Sequence, residues 1–298
     1  TISAGCACFP EDGADETRLV AAAHAALTHA KESGGGLRLF DSAEQQRRQE
    51  RAELRKALRG AIEAGEISLH YQPQFRSDGS IIAFEALARW TDPVLGAISP
   101  EIFIPAAEET DLIAALGEHV LRCACREAAS WAQPLRIAVN MSPMEFQSQT
   151  LPDLVEAVLT ETGLAPERLE LEITERVMVT DADQAMVTIA RLRALGVRVV
   201  LDDFGIGYSS LSYLHRFPLT TLKIDRSFVA TLGVTLESVS ITRAIIQLGH
   251  ALGMEVVAEG VETHEQLDFL IQERCDLMQG YLLGRPMPPD AYAHVTGP

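Results

Sequence analysis

No apolar run in this 298-residue sequence approaches the roughly 20 residues needed to cross a bilayer, and the amino terminus lacks the basic-then-apolar pattern of a secretory signal. No membrane contact is therefore expected from this segment, and the cytoplasm is the default compartment. Thr1-Ile2-Ser3 has no initiator Met and reads like the middle of a strand, a pattern compatible with an upstream membrane or sensor region. Paired cysteines are missing as well. Cys6, Cys8, Cys123, Cys125 and Cys275 form no C-x-x-C pair and have no His at zinc-finger spacing, so they are expected to be ordinary buried thiols. Basic residues are few, 25 Lys and Arg against 42 Asp and Glu, for a formal charge of −17. That balance argues against a nucleic-acid duplex as partner, because phosphate neutralisation requires clustered Lys and Arg. An anionic substrate would have to meet something locally positive, and in an acidic protein a bound metal ion often serves.

What is present is enough apolar content, 47%, for one large core or a core with a small satellite. Residues 1–40 hold an alternating apolar stretch, a Pro10-Glu11-Asp12-Gly13 turn signal, an Ala-rich helix near 16–31 and a Gly34-Gly35-Gly36 break, too little for an independent fold. Residues 41–64 are charged and helical, with Leu54, Leu58 and Ile62 on one face, and read as a linker helix.

From Ile67 onward, short apolar segments alternate with helical patterns. The expected strands are Ser68–Gln72, Ile81–Ala88, Leu135–Asn140, Leu169–Thr174, Val197–Asp202, Leu222–Asp225, Glu255–Glu259 and Leu277–Tyr281, with helices near 151–162, 182–195, 236–252 and 263–273. Eight strands with intervening helices over residues 65–298 match an α/β fold of the (β/α)8 TIM-barrel type. Periodicity alone also admits a doubly wound open sheet. The link between the first two strands is too short for a helix, so these two are expected to pair antiparallel.

Acidic and amide residues recur at the carboxyl ends of these strands: Asn140, Glu172, Asp202, Asp203, Glu259 and Gln279, with Glu85 inside the second strand. In a barrel such ends converge on one face, where loops build the active site. Carboxylates gathered there repel, and must be protonated, paired with cations or bound to metal. Oxygen donors suit Mg²⁺ or Mn²⁺, two of which sharing an Asp could activate water against a phosphodiester. Lys223 could hold that water. Taken singly, these residues also suit duller roles: strand-end acids as helix caps or ion-pair partners, Asp202-Asp203 as turn chemistry, Lys223 as a surface charge.

At Glu85-Ala86-Leu87-Ala88-Arg89-Trp90 the chain resembles the EAL family of cyclic di-GMP phosphodiesterases. The likeness continues in order through Tyr71-Gln72-Pro73, Asn140-Met141-Ser142, Glu172-Ile173-Thr174-Glu175, Asp202-Asp203-Phe204-Gly205, Lys223-Ile224-Asp225, Glu259-Gly260-Val261-Glu262 and Gln279-Gly280-Tyr281. The resemblance implies hydrolysis of cyclic di-GMP to linear pGpG on two Mg²⁺ or Mn²⁺ ions, with Ca²⁺ inhibitory. Glu85, Asn140, Glu172 and Asp202 resemble the ligands of one ion; Asp202, Asp203 and Glu259 resemble those of the other, with Asp202 bridging. Lys223 resembles the lysine that contacts the catalytic water, and Glu259 a group that assists deprotonation; with Glu85 and Asp202 these form the expected catalytic set. Gln72, Leu87, Arg89 and Gln279 resemble substrate contacts, Arg89 through phosphate, and Gln279 also helps place the site. Glu175 resembles the glutamate that steadies the loop from Phe204 to Leu214, which in the family links the metal site to a dimer interface; a homodimer through this domain is implied. Ser209 and Ser210 are expected hydrogen-bond donors to Glu175.

Departures from the family pattern are Ile206, where a small or hydroxylated residue is frequent, and Arg176, where a small polar one is. Residues 1–40 resemble the tail of a GGDEF domain, with His24 and Thr28 in place of Asp and Tyr and Gly35-Gly36 in place of Arg-Asn. A cyclic di-GMP receptor without catalysis is the rival reading, and it predicts missing ligands; here each ligand position holds the expected residue type. A sugar-phosphate barrel enzyme would need a backbone phosphate cradle near the last two strands, and Gln279-Gly280-Tyr281 does not supply an obvious one.

Overall fold

A computed structural model of the chain describes residues 2–205, 214–233 and 236–297. The chain divides into two compact units, Thr1–Gly60 and Ala61–Pro298. In the first, β1 (Ser3–Cys6) and β2 (Gly36–Leu39) pair in parallel. The helix Glu16–Glu32 packs on them through Ala22, Ala26 and Ala30, and Asp15 caps it by accepting from the Arg18 N–H. The helix Ser42–Ala64 covers the charged linker pattern. One expectation fails here and beyond: among the five cysteines only Cys125 and Cys275 are buried, while Cys6 and Cys123 are half-buried and Cys8 is exposed. The burial of free Cys is a tendency of cores, and the two-stranded layer around Cys6 and Cys8 is too thin to be one.

The second unit is a closed eight-stranded barrel. β3 (Ser68–Phe75) and β4 (Ile81–Asp92) pair antiparallel, with Gln72 opposite Glu85, around a tight turn in which Gly79 N–H reaches Arg76 O at 3.0 Å. A turn this short cannot hold the crossover that a parallel pair needs. β5 (Gly96–Ile98) folds back on the far end of β4. From β4 the ring runs in parallel through β6 (Arg136–Asn140), β7 (Leu169–Thr174), β8 (Arg198–Phe204), β9 (Thr221–Ile224), β10 (Glu255–Ala258) and β11 (Leu277–Met278). It closes where β11 meets β3 antiparallel, Met278 against Phe75. The open-sheet alternative is thereby excluded.

Strand limits differ from the sequence expectation where pairing, not composition, sets them. β3 runs through Pro73 to Phe75 because its hairpin partner keeps pairing up to the turn, and β4 continues to Asp92 because β5 covers it. Glu259 and Gln279 fall just beyond β10 and β11, held by backbone bonds from Gln279 N–H to Ala258 O (2.9 Å) and from Val261 N–H to Gln279 O (3.0 Å).

Sequence alternation in β7, Leu-Glu-Leu-Glu-Ile, separates two buried faces. Leu169, Leu171 and Ile173 belong to the apolar core, while Glu170 and Glu172 are buried among charged partners. These charges form two tiers inside the barrel. In the lower one Arg136 reaches Glu170 (3.0 Å) and Glu255 (2.6 Å), and Arg198 reaches Glu170 (2.6 Å) and Glu255 (2.9 Å). Two guanidiniums answer two carboxylates, so this tier is balanced, as a buried ion cluster must be. The upper tier is not.

Outside the barrel the helix Leu112–Ser130 buries Leu112, Ile113, Leu116, Val120, Leu121, Ala124 and Ala128 at three- and four-residue steps. Thr263 and Gln266 form a reciprocal cap at the start of His264–Gln272. Among the described residues no helix is long and apolar enough to cross a membrane.

Candidate active site

The upper tier is built around Lys223 of β9, whose side chain is fully buried. Its Nζ lies 2.5 Å from Glu259 Oε1, 2.9 Å from Glu172 Oε2, 3.4 Å from Asp202 Oδ1 and 3.7 Å from Glu85 Oε2. The reading of Lys223 as a surface charge is therefore overturned. Four carboxylates face one ammonium, and the excess charge sits at low dielectric, where it is costly. The groups respond as that imbalance requires. Burial alone would lower Lys223, but the four carboxylates outweigh it and raise it well above the ordinary lysine range. Burial and the neighbouring Glu85, Asp202 and Glu259 push Glu172 up despite Lys223. Burial, opposed by Lys223, lifts Glu259 to about 8. Glu85 goes the other way: burial raises it, but Lys223 and the amides of Gln279 and Asn140 hold it below the usual carboxylate range.

Amides complete the first strand pair. Asn140 Nδ2 donates to Glu85 Oε1 at 2.7 Å, and Gln279 Nε2 donates to Glu85 Oε2 at 2.6 Å and to Gln72 Oε1 at 3.0 Å. At the rim, Asp203 adopts φ 54°, a left-handed conformation that Asp tolerates better than most residues, and its N–H donates to Asp202 Oδ1 at 2.9 Å. Partial burial and the Asp202 and Asp225 carboxylates raise Asp203 to about 6. A cleft of about 640 Å³ opens over these groups, with Gln72, Glu85, Leu87, Asp202, Asp203, Glu259 and Gln279 all in its wall.

The donor set fits a hard divalent ion. Asp202, Asp203 and Glu259 each offer an oxygen, all within 4.8 Å of one another. Glu172 Oε1 is buried with no hydrogen-bond partner, an orphaned acceptor in an over-negative cluster. Carboxylate and amide oxygens select Mg²⁺ or Mn²⁺ rather than softer metals.

The structure brings together Gln72, Glu85, Leu87, Asn140, Glu172, Asp202, Asp203, Lys223, Glu259 and Gln279. Arg89 is not in the wall of this cleft, but it is within electrostatic reach of Glu85 and Tyr281, which are. It is half-buried beside Leu87 and Asn140 in a neighbouring, largely apolar cleft of about 280 Å³, and its Nη1 donates to Ala88 O at 2.9 Å. Glu175 is buried at the start of the helix Glu175–Thr180, and its Oε1 accepts from Gly205 N–H at 3.0 Å. Ile206, Ser209, Ser210 and most of the loop from Phe204 to Leu214 lie outside the described residues. Sequence reasoning missed Gln74, whose Nε2 donates to Gln279 Oε1 at 3.0 Å, and Asp225 beside Asp203. Two-residue spacing from Gln72 was the available signal for Gln74; the Lys223-Ile224-Asp225 run was the signal for Asp225.

Comparison with known proteins identifies the family. The EAL domain family matches residues 55–286. An uncharacterized signaling protein of Caulobacter vibrioides is 50% identical over 296 residues, 99% of this chain and 37% of its own length. The bifunctional diguanylate cyclase/cyclic di-GMP phosphodiesterase MucR of Pseudomonas aeruginosa is 43% identical over 296 residues, 97% of this chain and 43% of its length. The chain thus spans less than half of these relatives. The solved c-di-GMP complex of the PaMucR phosphodiesterase superposes with a TM-score of 0.77 at 44% identity, covering 80% of this chain and 99% of that one. On the fold, the carboxylate mouth and these matches, the chain belongs to the EAL domain family.

Proposed function

We propose that residues 65–298 hydrolyse one phosphodiester of cyclic di-GMP to give linear pGpG, in the cytoplasm, as a homodimer through this domain. Residues 41–64 serve as its linker helix and residues 1–40 as the remnant of a GGDEF-like domain. The observation that carries the reading is the unbalanced tier, in which four carboxylates surround Lys223 under a 640 Å³ cleft at the carboxyl ends of the strands. Relatives named as cyclic di-GMP phosphodiesterases support the substrate.

Glu85, Asn140, Glu172 and Asp202 would hold one Mg²⁺ or Mn²⁺, and Asp202, Asp203 and Glu259 a second. When bound, the pair would supply charge neutralisation at the phosphodiester and a nucleophile at neutral pH. Lys223 positions the attacking water from below, and its contacts fix Glu172 and Glu259. Glu259, 2.5 Å from Lys223 at the edge of the cleft, is placed to assist deprotonation of that water. Gln72, Leu87 and Gln279 orient the substrate along the cleft wall, and Arg89 engages a phosphate after releasing Ala88 O.

Purified protein incubated with cyclic di-GMP and Mg²⁺, followed by chromatography, should yield pGpG. Binding of intact cyclic di-GMP without product would replace this reading with the receptor one. Light scattering checks the dimer.

A further inference from the structure

Three buried glutamines connect Glu85 to the segment after β11. Gln74 Nε2 donates to Gln279 Oε1 (3.0 Å), Gln279 Nε2 donates to both Glu85 Oε2 (2.6 Å) and Gln72 Oε1 (3.0 Å), and Gln72 Nε2 donates to Gly284 O (3.0 Å). All three side chains are buried, Gln74 the most deeply at 1% exposure. A carboxamide can be turned end for end with little change of shape, so something must decide which end faces which.

Here the two ends of the relay decide. Glu85 as a carboxylate and the Gly284 carbonyl can only accept. Gln279 must therefore turn its NH₂ toward Glu85, which leaves its oxygen facing β3, and Gln72 must turn its NH₂ toward Gly284, which leaves its oxygen for Gln279. The Gln279 oxygen then needs a donor in the barrel interior, and Gln74 is that donor. Were Gln279 reversed, its carbonyl would oppose the Glu85 carboxylate at the 2.6 Å where a donor now sits. Meeting this demand leaves Gln74 Oε1 buried with no hydrogen-bond partner. Gly284 closes the relay tightly: a Cβ there would meet Pro73 Cγ at 2.6 Å.

We infer that Gln74 is a positioning residue of the active site: by donating to Gln279 it fixes the direction of the amide relay and so holds Glu85 and Gln72 in place. It touches neither substrate nor the reacting atoms. This inference deepens the phosphodiesterase reading through Glu85 and Gln72, but its test does not depend on turnover. In protein labelled with ¹⁵N-glutamine, the Gln74 and Gln279 carboxamide protons should exchange with solvent far more slowly than exposed ones, and Gln74→Met should shift the Gln279 carboxamide signals. Exchange at exposed rates in the unmodified protein overturns the relay whether or not any variant folds, and whether or not the protein hydrolyses cyclic di-GMP.

The second arm is Mn²⁺ binding by calorimetry without substrate. Loss of one neutral hydrogen bond predicts affinity weakened by about threefold to tenfold in Gln74→Met. The same substitution made on top of Gln279→Met should have almost no further effect, because Gln74 acts only through Gln279. Independent roles for the two side chains would make the two losses additive, and additivity, or unchanged Mn²⁺ affinity in Gln74→Met, overturns the proposal.

Discussion

Lys223 Nζ and Glu172 Oε2 meet at 2.9 Å with both side chains excluded from solvent, one strand apart in space from Asp202. The pair fixes the electrostatic character of the whole mouth. One ammonium cannot neutralise the four carboxylates that touch it, whereas the lower tier of Arg136, Arg198, Glu170 and Glu255 is matched in charge. The same barrel interior thus holds one layer that is matched in charge and one in which carboxylates outnumber cationic groups.

Asp202 is shared by both proposed ligand sets. Asp202→Asn keeps the side-chain oxygen that accepts from Asp203 N–H but removes the charge. Turnover should fall below about a tenth of the unmodified rate, a loss above roughly 1.4 kcal/mol, with the melting temperature in chelator unchanged or raised. Retention of more activity would remove Asp202 from the bridging position.

Metal removal should make stability pH-dependent in a defined direction. Glu259 lies at about 8 and Asp203 at about 6 in the metal-free fold, against ordinary values of 4.5 and 3.8, and Glu172 and Asp202 are raised too. The folded state then binds more protons than the unfolded state between about pH 4.5 and 8, so stability falls as pH rises through that window. Glu85, held low, works in the opposite sense below it. Thermal melts in EDTA should show a declining midpoint from pH 5 to 8, and saturating Mg²⁺ should restore it most at the high end. A midpoint that climbs with pH in EDTA would contradict the charge imbalance.

Ca²⁺ should compete with Mg²⁺ and depress the rate. It prefers longer bonds and a looser shell than Mg²⁺, while Asp202, Asp203 and Glu259 bring their oxygens within 4.8 Å of one another. Rates measured at fixed Mg²⁺ with increasing Ca²⁺ check this; equal rates with either ion would argue against two closely spaced catalytic ions.

Strand ends carrying Asn140, Glu172, Asp202 and Glu259 were legible in sequence because parallel strands of one barrel all finish on the same face. Local composition also marked the helices, through apolar residues at three- and four-residue steps. Lys223 was harder, since lysine is ordinarily exposed and only the converging carboxylates of four other strands explain its burial. For Gln74 the two-residue spacing from Gln72 placed it on the same strand face, but not its partner, because Gln279 is 205 residues away. Arg89 was read from its motif as a phosphate contact; its bond to Ala88 O is a local contact that the motif itself does not encode.

Glu175 offers a test that separates loop control from direct chemistry. Its Oε1 accepts from Gly205 N–H at 3.0 Å, two residues after Asp203, and its buried Oε2 has no partner among the described residues. Gly205 has φ 102°, and a Cβ there would meet the Phe228 ring at 2.7 Å, so the backbone that follows Asp203 is fixed on one side by packing and on the other by Glu175. Asp203 itself stands in a left-handed conformation that is not the default for the chain. Removing the charge in Glu175→Gln leaves an acceptor of similar shape but weakens the bond by about 1 kcal/mol. Asp203 should then be less well held, and the Mg²⁺ concentration for half-maximal rate should rise by about fivefold, with the rate largely recovered at high Mg²⁺. Gly205→Ala should move the same parameter further, through the strained φ and the contact with Phe228. Binding of cyclic di-GMP through Gln72 and Leu87 should change little in either variant. An unchanged Mg²⁺ dependence in Glu175→Gln would leave Glu175 a plain charge in the first turn of its own helix.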